Sequence, residues 1–253
     1  MPKFIDASTL DDATMDQKAL PASNYGYSAV NPKHLGASEY TLVTICVDSS
    51  GSVAPFKPVL EECLRKVVQS CQYSPRADNL LVRNVQFDHT LDQIHGFKML
   101  ENCNVSDYKG VLTKNGSTAL FDTTHNSIRA TLDYAADLKK QRYTANAVVF
   151  VLTDGGDNVS KFSARDVRRA VDDAVGHEDL ESINVILVGV NINDLGVRKM
   201  LDDFQKDAGI TQYEDIGTLT AERAAKLADF VSRSISAQAQ AKGTGGPSRA
   251  LVF

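Results

Sequence analysis

Apolar residues along this chain fall into two alternating kinds of segment. Short runs rich in β-branched residues read as buried strands: Thr41 to Val47, Leu80 to Phe87, Ala147 to Thr153 and Ile183 to Val190. Between them lie stretches with apolar positions three and four apart. Val59, Leu60, Cys63, Leu64, Val67 and Val68 mark one such helix within Val53 to Ser70. Further helices are predicted from Thr118 to about Lys140, from Ser163 to Val175 with Ser163 as N-cap, from Asp194 to Gln205 and from Ala221 to Ala237. Thr90 to Phe97 reads as a hairpin partner of the second strand at a sheet edge, and Gln212 to Ile216 as a short edge strand.

Strands that alternate with helices predict a three-layer, doubly wound α/β fold. Its sheet is expected to be mostly parallel with an antiparallel edge strand. One domain is expected over residues 40–237. Residues 1–39 read as an irregular N-terminal arm, with a short helix near Leu10 to Leu20. Residues 238–253 read as a flexible tail, in which Lys242 to Pro247 has linker composition and Ala250 to Phe253 is apolar. That apolar end is read either as frayed chain or as a peptide that a partner captures.

In open parallel sheets, ligands bind beyond the carboxyl ends of the strands. Two of the predicted strands end there in a carboxylate. Asp48 opens Asp48-Ser49-Ser50-Gly51-Ser52, and Asp154 opens Asp154-Gly155-Gly156-Asp157-Asn158. A third segment, Asn115 to Asp122, places Thr118 at a helix start. Asp48, Ser50 and Ser52 are hard oxygen donors on a tight turn, a set that suits Mg²⁺ or Mn²⁺. The same composition is also ordinary for a turn.

Together these three segments resemble the von Willebrand factor A family. That family's metal-ion-dependent adhesion site runs Asp-x-Ser-x-Ser, then a distant Thr, then a distant Asp. Asp48, Ser50, Ser52, Thr118 and Asp154 match all five positions. The resemblance spans roughly residues 40 to 235. It implies a Rossmann-like fold and a divalent ion, Mg²⁺ or Mn²⁺, held by those five residues. It also implies capture of a partner protein's Asp or Glu, and no enzymatic activity. The wording Gly-Ser-Thr-Ala-Leu-Phe-Asp and Leu-Thr-Asp-Gly-Gly-Asp-Asn looks like that of intracellular bacterial or phage members. Such relatives serve as adaptors for AAA+ ATPases, including MoxR-like ones, or in stress and tellurite-resistance systems.

Composition narrows the partners. A net charge of −5 over 253 residues gives no global basic footprint for nucleic acid. No apolar run approaches the ~18 residues of a membrane span, and the first residues lack the apolar core of a signal peptide. Cys46, Cys63, Cys71 and Cys103 have no Cys-x-x-Cys spacing and are expected as reduced core thiols in a cytoplasm. Two other readings stay open: a Mg/Mn-dependent phosphoester hydrolase, and a structural protein that self-assembles through its tail. The five histidines are scattered with no His-x-x-x-His pair, and His89 and His95 read as surface polar residues. No P-loop and no Gly-x-Ser-x-Gly elbow is present.

Overall fold

The computed structural model describes residues 14–21, 23, 25–241 and 251–253. Its sheet has eight strands in the order β1-β2-β5-β4-β3-β6-β7-β8. They are β1 (Met15–Lys18), β2 (Tyr27–Val30), β3 (Glu39–Asp48), β4 (Leu80–Phe87), β5 (Leu91–Met99), β6 (Thr144–Thr153), β7 (Ile183–Gly189) and β8 (Gln212–Asp215). Helices α1 (Lys57–Gln72), α2 (Leu120–Lys140), α3 (Ala164–Gly176), α4 (Leu195–Asp207) and α5 (Ala221–Ala241) cover it. No helix among the described residues is long and apolar enough to cross a membrane.

The layers follow from the two-residue period of the central strands. On β3 and β6, Leu42, Cys46, Ala147, Val149 and Val151 face one core with α2, α3 and α4. Val43, Ile45, Val47, Val148, Phe150 and Leu152 face a second core with α1 and α5. Both faces are covered, so apolar residues run consecutively along these strands, interrupted by the buried Thr44 and Asn146. β3 pairs in parallel with β4 and with β6, which makes it the central strand. Asp48 and Asp154 therefore leave neighbouring strands at the same end of the sheet.

The N-terminal segment differs from expectation. Met15–Lys18 and Tyr27–Val30 are strands, not an irregular arm. The strand at Met15–Lys18 also replaces the later part of the helix expected near Leu10 to Leu20; its earlier part lies outside the described residues, as does the linker expected from Lys242 to Pro247. β5 is antiparallel to β4 as expected, but β2 and β1 extend the sheet past it. The reason lies in side chains that a periodicity reading passes over. Tyr27 donates its hydroxyl to Asp133 Oδ2 at 2.7 Å, and Tyr134 donates to the Val30 carbonyl at 2.8 Å. Gly96 on β5 lets β2 approach closely, since a Cβ there would lie 2.1 Å from the Ser28 carbonyl oxygen.

His95 is likewise not a surface residue. It is fully buried, and its Nε2 accepts from the Tyr108 hydroxyl at 2.7 Å while Nδ1–H donates to the Gly96 carbonyl at 2.9 Å. Burial lowers its pKa to about 3, and the nearby Lys98 adds to the effect. His89 is exposed, as expected. All four cysteines are buried and free.

Candidate metal centre

Three loops meet where β3 and β6 end. The first turns at Ser50 and Gly51. The Ser50 N–H donates to Asp48 Oδ1 at 2.8 Å, an Asx-type turn that fixes the carboxylate against its own backbone. Asp48 Oδ2 accepts from the Thr153 hydroxyl at 2.7 Å. Thr153 is the last residue of β6, so this bond ties the two strand ends together. Asp48 is buried and both its oxygens are held by neutral donors.

The two serine hydroxyls lie 3.3 Å apart, and the exposed Ser52 donates to Asp154 Oδ1 at 2.8 Å. Asp48, Ser50, Ser52 and Asp154 therefore form one connected cluster. Thr118 is buried and reaches the cluster through backbone ties. The Gly51 N–H donates to the Gly116 carbonyl at 3.0 Å, joining the first loop to the second. The Thr118 N–H donates to Asn158 Oδ1 at 2.9 Å, and the Asn158 N–H returns a bond to the Thr118 carbonyl at 3.1 Å. These join the second loop to the third.

Electrostatics set these carboxylates apart from their neighbours. Burial raises Asp48 to about 6, with the nearby Asp154 charge adding to it. Burial also raises Asp154. No cationic side chain lowers either one. Asp88, at the end of β4, behaves oppositely: burial acts against it, but the Thr90 N–H and Lys114 bring its pKa below the ordinary value. Among the described residues, no three His, Cys, Asp or Glu side chains cluster as a metal site. The Asp48 and Asp154 carboxylates and the Ser50 and Ser52 hydroxyls form instead an all-oxygen cluster, a donor set that fits a small hard cation.

Sequence reasoning missed the residues that hold these loops. Asp88 Oδ2 accepts from the Gly116 N–H at 2.9 Å, and the Asp88 carbonyl accepts from Ala119 N–H at 2.7 Å. Its position just past a strand end, like those of Asp48 and Asp154, was the available signal. Asp157 Oδ1 accepts from the Phe121 N–H in the first turn of α2 at 3.2 Å. Asp122 returns the tie by accepting from the Lys161 and Phe162 N–H groups, each at 2.9 Å.

Residues 43–236 match the von Willebrand factor type A domain. The chain belongs to that family. No curated protein matches it. Solved structures share the von Willebrand factor A fold at low identity. Proximal thread matrix protein 1 from the mussel byssus is 15% identical, with a TM-score of 0.52 over 78% of this chain and 46% of that one. A second structure of it, described as having a zinc-occupied MIDAS motif, is 17% identical with a TM-score of 0.50 over 79% of this chain and 46% of that one. The PilB minor pilin from Streptococcus sanguinis is 14% identical, with a TM-score of 0.54 over 84% of this chain and 64% of that one. The pilus adhesin SpaC from Lactobacillus rhamnosus GG is 11% identical, with a TM-score of 0.56 over 92% of this chain and 37% of that one. The chain thus spans less than two thirds of the length of these proteins.

Proposed function

We propose that this chain is a metal-dependent protein–protein interaction module. The observation that carries the reading is the pair Asp48 and Asp154. Burial raises both, no cationic side chain lowers either, and they join the Ser50 and Ser52 hydroxyls in one cluster. Ser50, Ser52 and Thr118 would hold Mg²⁺ or Mn²⁺ with neutral oxygens, and Asp48 and Asp154 would supply the charge. A bound ion would offer a partially neutralised, hard positive charge to a partner's Asp or Glu. The chain's own residues keep the centre rigid: Thr153 and the Ser50 N–H fix Asp48, Asn158 fixes the Thr118 backbone, and Asp88 fixes Gly116.

A binding role fits this site better than catalysis. The Ser50 hydroxyl neighbours the Ser52 hydroxyl and the Asp48 carboxylate, and that carboxylate is already held by the Ser50 N–H and the Thr153 hydroxyl. A Mg/Mn-dependent phosphoester hydrolase would need a base free to take a proton. The family resemblance and the buried free thiols support a reducing, cytoplasmic setting of the bacterial or phage type, with an AAA+ ATPase such as a MoxR-like one as the partner class.

Affinity capture from the native host tests the reading, with wild type and Asp154→Ala as baits, each in Mg²⁺ and in EDTA. A partner retained only by wild type in Mg²⁺ is expected. The same partners in all four samples would refute a metal bridge. The mussel protein's zinc makes Zn²⁺ a useful third condition.

A further inference from the structure

The spacing of residues along α2 builds a second concave site. His125, Arg129, Leu132 and Ala136 stand four, three and four residues apart, so they share one face of the helix. That face floors a cavity of about 460 Å³. One wall comes from Leu20 and Pro21, in the connection between β1 and β2. The other comes from Phe162 just before α3, and from His177 and Asp179 just after it. Both walls are tied to the floor. The Asn126 side-chain amide donates to Ser23 Oγ and to the Tyr25 carbonyl, each at 3.2 Å, and holds the connection down. Asp122 accepts from the Phe162 N–H at 2.9 Å, and Arg129 pairs with Asp173 of α3 at 2.7 Å. A fixed cavity of this size, with apolar walls and a few polar groups, is the usual form of a small-molecule site.

The charged groups around the cavity already have partners. Arg129 has Asp173, the Tyr27 hydroxyl donates to Asp133 at 2.7 Å, and Lys139 lies 3.4 Å and His177 3.8 Å from Asp179. His125 differs from them. It is 6% exposed, and among the described residues its Nδ1 has no hydrogen-bond partner. Burial and the nearby Arg129 charge lower its pKa, so the ring is neutral at pH 7. Its face stacks on Phe162, with centroids 3.9 Å apart and planes 25° from parallel. A half-turn of the ring keeps that stack and exchanges the edge that meets the cavity. A buried ring nitrogen left without a partner costs free energy. A ligand hydroxyl would supply the missing bond, as donor or as acceptor. A charged ligand would lose its hydration and find the charges around it already matched.

We propose that this cavity binds an uncharged aromatic small molecule that carries one hydroxyl. The ring lies against Leu20, Leu132 and Phe162, and the hydroxyl meets the His125 imidazole. Ala136, the smallest side chain on the floor, leaves the room that the ring takes. The site is separate from the centre at Asp48 and needs no metal.

The test titrates β-naphthol, naphthalene and β-naphthoate into the full chain at pH 7 in EDTA, followed by calorimetry and by the imidazole signals of His125 in NMR. The three probes share one ring system and differ in the polar group and its charge. β-Naphthol is expected to saturate one site, to shift the His125 signals, and to bind about 5-fold more tightly than naphthalene, the worth of one neutral hydrogen bond. β-Naphthoate should bind at least about 10-fold more weakly than β-naphthol. His125→Phe keeps the stack and removes the nitrogens, so the preference for β-naphthol over naphthalene should disappear. Ala136→Leu fills the floor and should weaken β-naphthol by at least about 10-fold. No saturable binding of any probe to the folded chain overturns the site. Equal binding of β-naphthol and naphthalene, or an unchanged preference in His125→Phe, overturns the role of His125. β-Naphthoate binding as tightly as β-naphthol overturns the uncharged class. Binding that Ala136→Leu leaves unchanged overturns the placement in this cavity. If His125→Phe fails to fold by circular dichroism, the unmodified chain decides the point, since His125 signals that stay fixed at saturation with β-naphthol overturn its role.

Discussion

Asp48→Asn should stabilise the metal-free protein, and the gain should depend on pH. Asparagine keeps the shape of the carboxylate and removes its charge. Its carbonyl can still accept from the Ser50 N–H. Its amide can donate to the Thr153 hydroxyl, because that hydroxyl has a second acceptor in the Gly155 carbonyl at 2.9 Å. The substitution therefore leaves no buried group unpaired. What it removes is the cost of a buried charge. Asp48 is raised from 3.8 to about 6, and at 1.36 kcal/mol per pH unit this gap corresponds to about 3 kcal/mol at pH 7. Between those two values the folded chain holds a proton that the unfolded chain has lost. Wild-type stability from this group therefore falls as pH rises through the window, and is flat above about 6. The advantage of Asp48→Asn should be about 3 kcal/mol at pH 7 and roughly half that at pH 5, from the same two values. His95 titrates identically in both proteins and cancels from the difference. Urea unfolding in EDTA at the two pH values measures it. Adding Mg²⁺ should then stabilise wild type alone, by mass action. A variant less stable than wild type in EDTA at pH 7, or an advantage that does not change with pH, would refute the reasoning.

Three further outcomes rest on the same contacts. The His95 ring should remain neutral, with its proton on Nδ1, down to pH 5 in nitrogen-15 NMR; a titration midpoint near 6.5 would contradict its burial. Gly96→Ala should cost about 1–3 kcal/mol in chemical denaturation, because its Cβ would meet the Ser28 carbonyl at 2.1 Å; unchanged stability would contradict the seating of β2 on β5. Asn158→Ala should weaken Mn²⁺ binding about 10-fold while lowering fold stability far less, since it frees the Thr118 backbone without opening the core; unchanged affinity would remove Asn158 from the site's support.

The fold was legible wherever burial on both faces gave a strand a run of consecutive apolar residues, as in β3 and β6. The loop clusters at Asp48 and Asp154 were legible because both follow such strands. β1 and β2 were not. β1 is a four-residue, half-exposed edge strand, Met-Asp-Gln-Lys, with no apolar alternation, and β2 is held by hydroxyl and close-backbone contacts from distant residues. His95 was misread because its partners Tyr108 and Gly96 meet it only through the fold. The supports Asp88 and Asn158 act through backbone N–H groups of other loops, and spacing along the chain does not encode which loop lies opposite. The apolar end at Leu251 and Phe253 reads in the sequence as frayed chain or as a peptide that a partner captures, and in the fold it packs against the chain's own core.

The central claim is that Asp48, Ser50, Ser52, Thr118 and Asp154 form one cation site. Calorimetric titration of Mg²⁺ and of Mn²⁺ into the chelator-treated chain tests it most directly, with Asp48→Asn and Thr118→Ala in parallel. The account predicts one ion per wild-type chain and at least a 10-fold loss of affinity in both variants, with both still folded. Binding of equal strength in all three proteins, or none in wild type, would contradict it.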